Sequence, residues 1–456
     1  MSALLPPVTL EPTRSAEARR LVRLALPVVA GYLGTVAMGT VDVMMSGRLG
    51  AHVLASVALG NTWAVGVAII SWGAARALDP IVSQAHGARD HAAVGMGLSR
   101  GLVMGGLLTL PMLLLFYLAG PALRLLGQPE ELIGPASIYC KTLAIGVAPF
   151  MTFIVLRQFL QALGNMAPAT KVVVLANGVN AGLNWVFLYG HLGSPRMGVA
   201  GCALATACSQ WFMLAALLWS VRGTLRTYWP GWQGAFDARP VGRMLRLGVP
   251  LGFQFALEVW AFHAAGLMMG RIGPSALAAH AVAINLATLS FMLPNGLAAA
   301  ASTRVGNLIG AGLPWRRSAW VAVALGAGIM TVPAAMFVFL PRLIASIYTA
   351  DAAVRDLAAV LLPLAGAFQL FDGTQVVCFG ALRGAGDVHV PAIANAVGYW
   401  LLGLPVGWWL AFHAGWGGAG IWLGLVIGLA VVAGLLLARV AWISAGRGAR
   451  LRLEEA

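Results

Sequence analysis

Three carboxylates stand where the chain offers them no water. Asp42, Glu258 and Asp372 lie well inside long apolar runs, where an ionised group costs on the order of 2.5–3.5 kcal/mol to insert. A carboxylate kept at that cost is suited to taking up and releasing a proton or a cation, since either removes the buried charge. No Arg or Lys lies at matching depth in the same runs, so a simple ion pair does not account for these acids. Asn180 and Asn184 are four residues apart and share one helix face. Amide oxygens beside a carboxylate suit a bound Na⁺ or a protonated carboxyl, although an intramembrane Asn by itself is about as often helix–helix glue.

The elements that must position these groups are helices. Apolar runs of about twenty residues are spanning helices, and twelve are expected at approximately 22–46, 55–78, 93–118, 134–157, 168–190, 199–221, 246–270, 277–302, 318–341, 357–381, 390–412 and 418–440. A rise of about 1.5 Å per residue places Glu258 and Asp372 at similar depth, roughly 18 Å and roughly 15 Å from one face, so the two could share a cavity. Asp42 falls roughly 30 Å along the first span, in the half of the membrane that also holds Asn184. Asp79, near the end of span two, has Arg76 three residues before it, and a structural i,i+3 ion pair is expected there.

Composition agrees. Of the 456 residues, 60% are hydrophobic and 10% charged, against roughly 25% charged in soluble domains. That excludes a soluble enzyme, a disordered chain and a disulfide scaffold. The net charge of +14 reads as membrane topology rather than nucleic-acid binding, because the Arg residues sit between apolar runs. With the N-terminus inside, Arg48, Arg124, Lys141, Arg196, Arg271, Arg342 and Arg355 face outward and Arg76 lies within span two. The remaining basic residues, from Arg14 to Arg447, Arg450 and Arg452, fall at cytoplasmic ends. Both termini are therefore expected in the cytoplasm, and the protein in the cell (inner or plasma) membrane. Residues 1–20 are polar, and the run from Leu21 is read as a retained span rather than a signal. Cys140, Cys202, Cys208 and Cys378 fit no metal or disulfide spacing.

The two halves repeat. Pro27 and Pro250, Gly47-Arg48-Leu49-Gly50 and Gly270-Arg271-Ile272-Gly273, and Gly87-Ala88 and Gly310-Ala311 all hold one offset of 223 residues. Six spans per half is an even number, so the halves enter the membrane in the same sense. The expected organisation is a first lobe over 1–221, a cytoplasmic connection over 222–245, and a second lobe over 246–456 with a short basic tail. Two six-helix bundles facing each other suit alternating access.

Pro27 with Val41-Asp42-Val43-Met44-Met45-Ser46-Gly47-Arg48, then Leu78-Asp79-Pro80 to Gln84-Ala85-His86-Gly87, Asn180 to Asn184-Trp185, Pro250 to Glu258, and Phe371-Asp372 to Leu382-Arg383-Gly384 follow in order along the chain. Together they resemble the multidrug and toxic compound extrusion (MATE) family, nearest its NorM-type branch. The resemblance implies an all-α membrane protein of twelve helices in two bundles related by a pseudo-twofold. It implies a secondary transporter that exchanges H⁺ or Na⁺ for amphipathic organic cations, and no cofactor beyond the coupling ion. It puts the first-lobe acid at Asp42 with Asn180 and Asn184, and the second-lobe acids at Glu258 and Asp372. In one place the chain departs from the pattern. One helical turn before the second-lobe Asp the branch resembles a Tyr-bearing cation site, whereas this chain has Phe368, which lowers the expectation of Na⁺ there and raises that of H⁺.

Rival readings fare less well. A lipid-linked oligosaccharide flippase of the same superfamily is the main alternative, but it would favour cavity Arg or Lys for phosphate. A membrane-embedded enzyme would need an acid, base or metal cluster near the interface. Gly97-Leu98-Ser99-Arg100-Gly101 fits the esterase pattern only by letters, since it falls inside a span rather than on a strand–turn–helix. The protein is expected not to be an enzyme, to act as a monomer, and to have small molecules and the lipid bilayer as its partners.

Overall fold

The computed structural model describes residues 8–446 and residue 451; Arg447, Arg450 and Arg452 lie outside the described residues. Among the described residues the regular structure is entirely helical. In lipid, backbone N–H and C=O groups find no water, so the chain satisfies them within each helix.

The first half comprises α1 (Arg14–Gly47), α2 (Ala51–Ala75), α3 (Leu78–Gly87), α4 (His91–Tyr117), α5 (Ala119–Leu125), α6 (Glu130–Ala162), α7 (Ala167–Phe187) and α8 (Val199–Tyr228). The second comprises α9 (Ala238–Ile272), α10 (Pro274–Gly310), α11 (Arg316–Phe339), α12 (Pro341–Tyr348), α13 (Ala352–Gly384), α14 (His389–Asn395), a π-helical stretch Ala396–Gly403, α15 (Leu404–Phe412) and α16 (Gly417–Ser444). Taking α2 with α3, and α14 through α15, as single spans gives six crossings per half, each overlapping an expected run. Several helices overshoot their apolar runs, because polar ends can continue helically into the interface. The irregular link between halves is only residues 229–237, since α8 and α9 extend into the expected connection.

Caps set the starts. Thr13 accepts from the Ala16 N–H at 3.1 Å, Asp90 from Ala93 at 2.9 Å, and Asp351 from Ala353 and Val354 at 2.9 and 3.1 Å. Among the described residues ten spans are long and apolar enough to cross a membrane by length and composition. The two that fall short are α7 and α9, which carry Asn177, Asn180 and Asn184, and Gln254 and Glu258, respectively. The two helices least suited to lipid thus bear three of the five candidate residues, Asn180, Asn184 and Glu258.

The halves meet at the basic end of the bundle. There α2 crosses α9 closely: a Cβ at Gly73 would strike the Gly252 backbone, and one at Gly248 the Ala74 carbonyl. Gly87 lies on the Asn307 backbone and Gly310 on that of Gln84, which docks α3 against α10. Leu21 and Ala25 of α1 enter the apolar core of the second half beside Leu297 and Ala301. Polar bonds follow the same seam. Thr303 donates to Asp79 at 3.0 Å and to the Gln161 carbonyl at 3.2 Å, Gln84 donates to the Gly384 carbonyl at 2.9 Å, and Arg304 grips Glu17 at 2.7 and 2.9 Å.

This seam corrects the expected Arg76–Asp79 pair. Asp79 faces Arg383 of the second half at 3.5 Å, while Arg76 lies over the Phe255 ring at 4.6 Å. At the Arg76–Ala77 break between α2 and α3 the backbone keeps an i,i+3 turn, with the Asp79 N–H on the Arg76 carbonyl at 3.2 Å, so the pair is lost because each side chain takes a partner from the second half.

Candidate functional site

In the first half, Asp42 is almost fully buried on α1, and its two oxygens are separately engaged. Asn184 of α7 donates to Oδ1 at 2.6 Å, and Thr206 of α8 donates to Oδ2 at 2.9 Å. Asn184 also donates to Asn180 Oδ1 at 3.2 Å, one turn back on the same face. Asn180 and Asn184 have no exposed surface. The sequence-derived group Asp42, Asn180 and Asn184 is therefore one contiguous cluster on two packed helices. Asn177, on the same helix, does something else: it donates to the Gly34 and Val173 carbonyls at 2.9 and 2.8 Å and joins α7 to α1.

Asp42 opens onto a cavity of about 280 Å³, whose lining includes Asn61, Trp72, Tyr139, Phe150 and Gln210. Trp72 and Phe150 meet edge to face, 5.8 Å between centroids. An aromatic chamber with a single carboxylate fits a flat organic cation, which gains both apolar burial and attraction to ring faces.

In the second half, Glu258 on α9 and Asp372 on α13 are brought together by an amide between them. The Gln375 Nε2 group reaches Glu258 at 3.3 Å and Asp372 at 3.4 Å, and Asn395 donates to the other Glu258 oxygen at 3.4 Å. These bonds are long beside those at Asp42, so the second cluster is the looser of the two. The Gln375 Oε1 and Asn395 Oδ1 atoms are buried with no hydrogen-bond partner, which leaves acceptor oxygens beside two carboxylates. Such a set suits a hard cation or a shared proton.

Phe368, one turn before Asp372, is buried in an aromatic group with Phe262 at 5.8 Å and Trp422 at 6.0 Å, and offers no hydroxyl. Tyr399 also packs edge to face on Phe262 at 5.9 Å. Its hydroxyl is fully buried without a partner and within electrostatic reach of Glu258 and Asp372. Tyr399 lies four residues after Asn395, inside the π-helix, whose wider turn of about 4.4 residues stacks the two on one face; such π segments occur often at functional sites.

Sequence reasoning missed Thr206, Gln375, Asn395 and Tyr399. Gln375 had a readable signal, three residues after an intramembrane Asp on one helix face. Asn395 was an amide in an apolar run. Thr206 had none, since it also bonds its own i−4 carbonyl, Cys202, at 3.1 Å as any helical Thr does. The esterase-like Ser99 is buried inside α4 and donates to the Met96 carbonyl at 3.3 Å, with no exposed turn.

The MatE family model matches the chain twice, over residues 27–186 and 250–409, a repeat in the register read from the sequence. A probable multidrug resistance protein NorM of Mesorhizobium japonicum is 40% identical over 94% of each chain. The multidrug resistance protein PmpM of Pseudomonas aeruginosa is 35% identical over 93% of this chain and 91% of its own. Among solved structures, the eukaryotic MATE transporter AtDTX14 superposes with a TM-score of 0.85 at 25% identity, over 94% of this chain and 96% of that one. The Vibrio cholerae MATE transporter VcmN in its bent form gives 0.84 at 19% identity, over 95% and 98%, a likeness of fold. A twice-matched family model, near-full-length relatives and a six-plus-six helical architecture agree: the chain belongs to the multidrug and toxic compound extrusion family of membrane transporters, in its NorM-type branch.

Proposed function

We propose that this protein is a secondary multidrug antiporter of the cell membrane, with both ends of the chain in the cytoplasm. It expels amphipathic organic cations in exchange for inward H⁺ or Na⁺, uses no cofactor, and works as a monomer. The observation that carries the reading is the pairing of a carboxylate with a drug-sized aromatic chamber at Asp42. A cationic drug and a coupling ion neutralise the same buried charge, so each displaces the other, which is the logic of exchange.

Asp42 with Asn180 and Asn184 takes up the coupling ion in the first lobe, with Thr206 holding the second carboxylate oxygen. Glu258 and Asp372 supply the charge of the second lobe. Phe368 removes one hydroxyl from that cluster, and the unpartnered Tyr399 hydroxyl is the group placed to stand in for it. The basic seam, closed on the cytoplasmic side, is one end state of an alternating cycle. The flippase reading finds less support, since the chamber is lined by Asp42 and aromatic rings rather than by cations.

The test is ethidium transport by purified protein in liposomes, with a Na⁺ gradient and a pH gradient imposed separately. One of the two should drive transport, and Asp42→Asn, or Glu258→Gln with Asp372→Asn, should abolish it without loss of folded protein. Undiminished transport by these variants would overturn the residue assignment. No response of folded wild type to either gradient would favour the flippase.

A further inference from the structure

A second cavity lies outside the carboxylate clusters, at the basic end of the bundle. It is a groove of about 870 Å³ between residues leading into α1 and the start of α11. Its walls carry Arg14, Arg316 and Arg317, and below them Trp320, Val321 and Ala324. Among the described residues no carboxylate lines it. Glu11 is taken up in a 2.7 Å bridge with Arg20, and Glu17 in one with Arg304 at 2.7 Å. Arg317 donates to the Glu11 and Pro12 carbonyls at 3.0 and 3.3 Å, which holds the wall in place but leaves its charge uncompensated. Among the described residues Arg14 and Arg316 form no ion pair.

Helix electrostatics sharpen the point. Arg14 opens α1, and Arg316 and Arg317 open α11, whose N-cap Trp315 provides no side-chain acceptor. Cations at a helix N-terminus face the positive end of the dipole, the wrong sign for stability. Three guanidiniums around one groove, beside the uncapped start of α11, call for an anion. The profile along α11 says which kind. Residues 316/317, 320/321 and 324 succeed one another by about one turn, passing from guanidinium to indole to aliphatic surface. That is the order of phosphate, headgroup boundary and acyl chain across half a bilayer.

We propose that this groove is a binding site for an anionic phospholipid of the leaflet at the basic end. Its phosphate is held bidentately by Arg14 and Arg316, and an acyl chain runs down Trp320, Val321 and Ala324. Because the groove is walled by α1 of one half and α11 of the other, the lipid joins the halves where they are closed and favours that state. This does not depend on which ion or drug is carried.

The full-length protein, purified and delipidated, is returned to nanodiscs of phosphatidylcholine alone or with phosphatidylglycerol, and retained lipid is read by native mass spectrometry together with thermal unfolding. Phosphatidylglycerol should be retained about tenfold over phosphatidylcholine and should raise the unfolding midpoint. Arg14→Ala with Arg316→Ala should lose both effects while unfolding as wild type does in phosphatidylcholine. Val321→Trp, which fills the apolar wall and keeps every charge, should also lower retention and provides the check if the double variant fails to fold. Equal loss on removing the remote pair Arg222 and Arg226 would mean diffuse attraction to the basic belt and overturn the site. Displacement of the lipid by millimolar inorganic pyrophosphate would reassign the groove to a soluble anion and overturn the lipid.

Discussion

At the scale of single residues, the two clusters differ in how tightly they hold their charge. Asp42 accepts two short bonds from different helices, whereas Glu258 and Asp372 share one stretched amide and adjoin oxygens with no donor. A hydrogen bond to a charged group is worth roughly 1.5–3 kcal/mol, about tenfold or more in affinity. Thr206→Val removes a donor that stabilises the ionised carboxylate, so it should tighten the apparent H⁺ affinity of transport about tenfold, with ethidium still bound. Tyr399→Phe should leave the first cluster untouched and blunt only the ion response that Glu258→Gln with Asp372→Asn abolishes; Phe368→Tyr in the Tyr399→Phe background should restore it. A Tyr399→Phe protein with wild-type ion dependence would remove the hydroxyl from the site. The acids themselves were legible because charge in an apolar run is conspicuous. Asn180 and Asn184 were legible because they repeat at helical spacing, and depth alone brought Asn184 to Asp42. Thr206 was not, because its second acceptor lies 164 residues away and a helical Thr has a local one.

At the scale of elements, the positions of the spans were readable and their interruptions were not. The break at Arg76–Ala77 and the π-helix at Ala396–Gly403 leave the apolar pattern intact, so nothing in hydropathy marks them. Polar side chains lie at both: Asp79, just past the first, faces Arg383 of the opposite half, and Asn395, at the start of the second, donates to Glu258. The docking of α3 on α10 rests on glycines whose missing Cβ lets backbones touch. Gly310→Val adds atoms where the Gln84 carbonyl already sits, and overpacking of this kind costs about 1–3 kcal/mol. The expected result is a thermal midpoint lowered by several degrees in detergent, with the carboxylate clusters intact. An unchanged midpoint would mean that α3 and α10 do not bear on each other in solution.

At the scale of the whole molecule, the duplication sets two similar bundles face to face, and a few polar bonds decide whether their basic ends stay together. Glu17 and Arg304 are both nearly inaccessible and join the halves at 2.7 Å. Removing one partner of such a pair costs about 3–5 kcal/mol, because the other charge is stranded. Arg304→Met should therefore shift the population away from the closed basic end. Spin labels placed across the seam at His91 and Gly312 should report longer distances than in the parent protein, and unchanged distances would show that the glycine contacts suffice without the ion pair.

The crossing of α2 and α9 through Gly73, Gly248 and Gly252 also bears on how fast the halves can part. A seam of interlocked side chains separates only after its rotamers rearrange, and that rearrangement acts as friction. Here backbone rests on backbone, so there are few torsions to unlock and little new shape to fit on return. The barrier then resides in the rim, in the bonds of Asp79, Gln84, Thr303 and Arg304. The switching rate should answer to those few polar groups far more than to the size of the surfaces that separate.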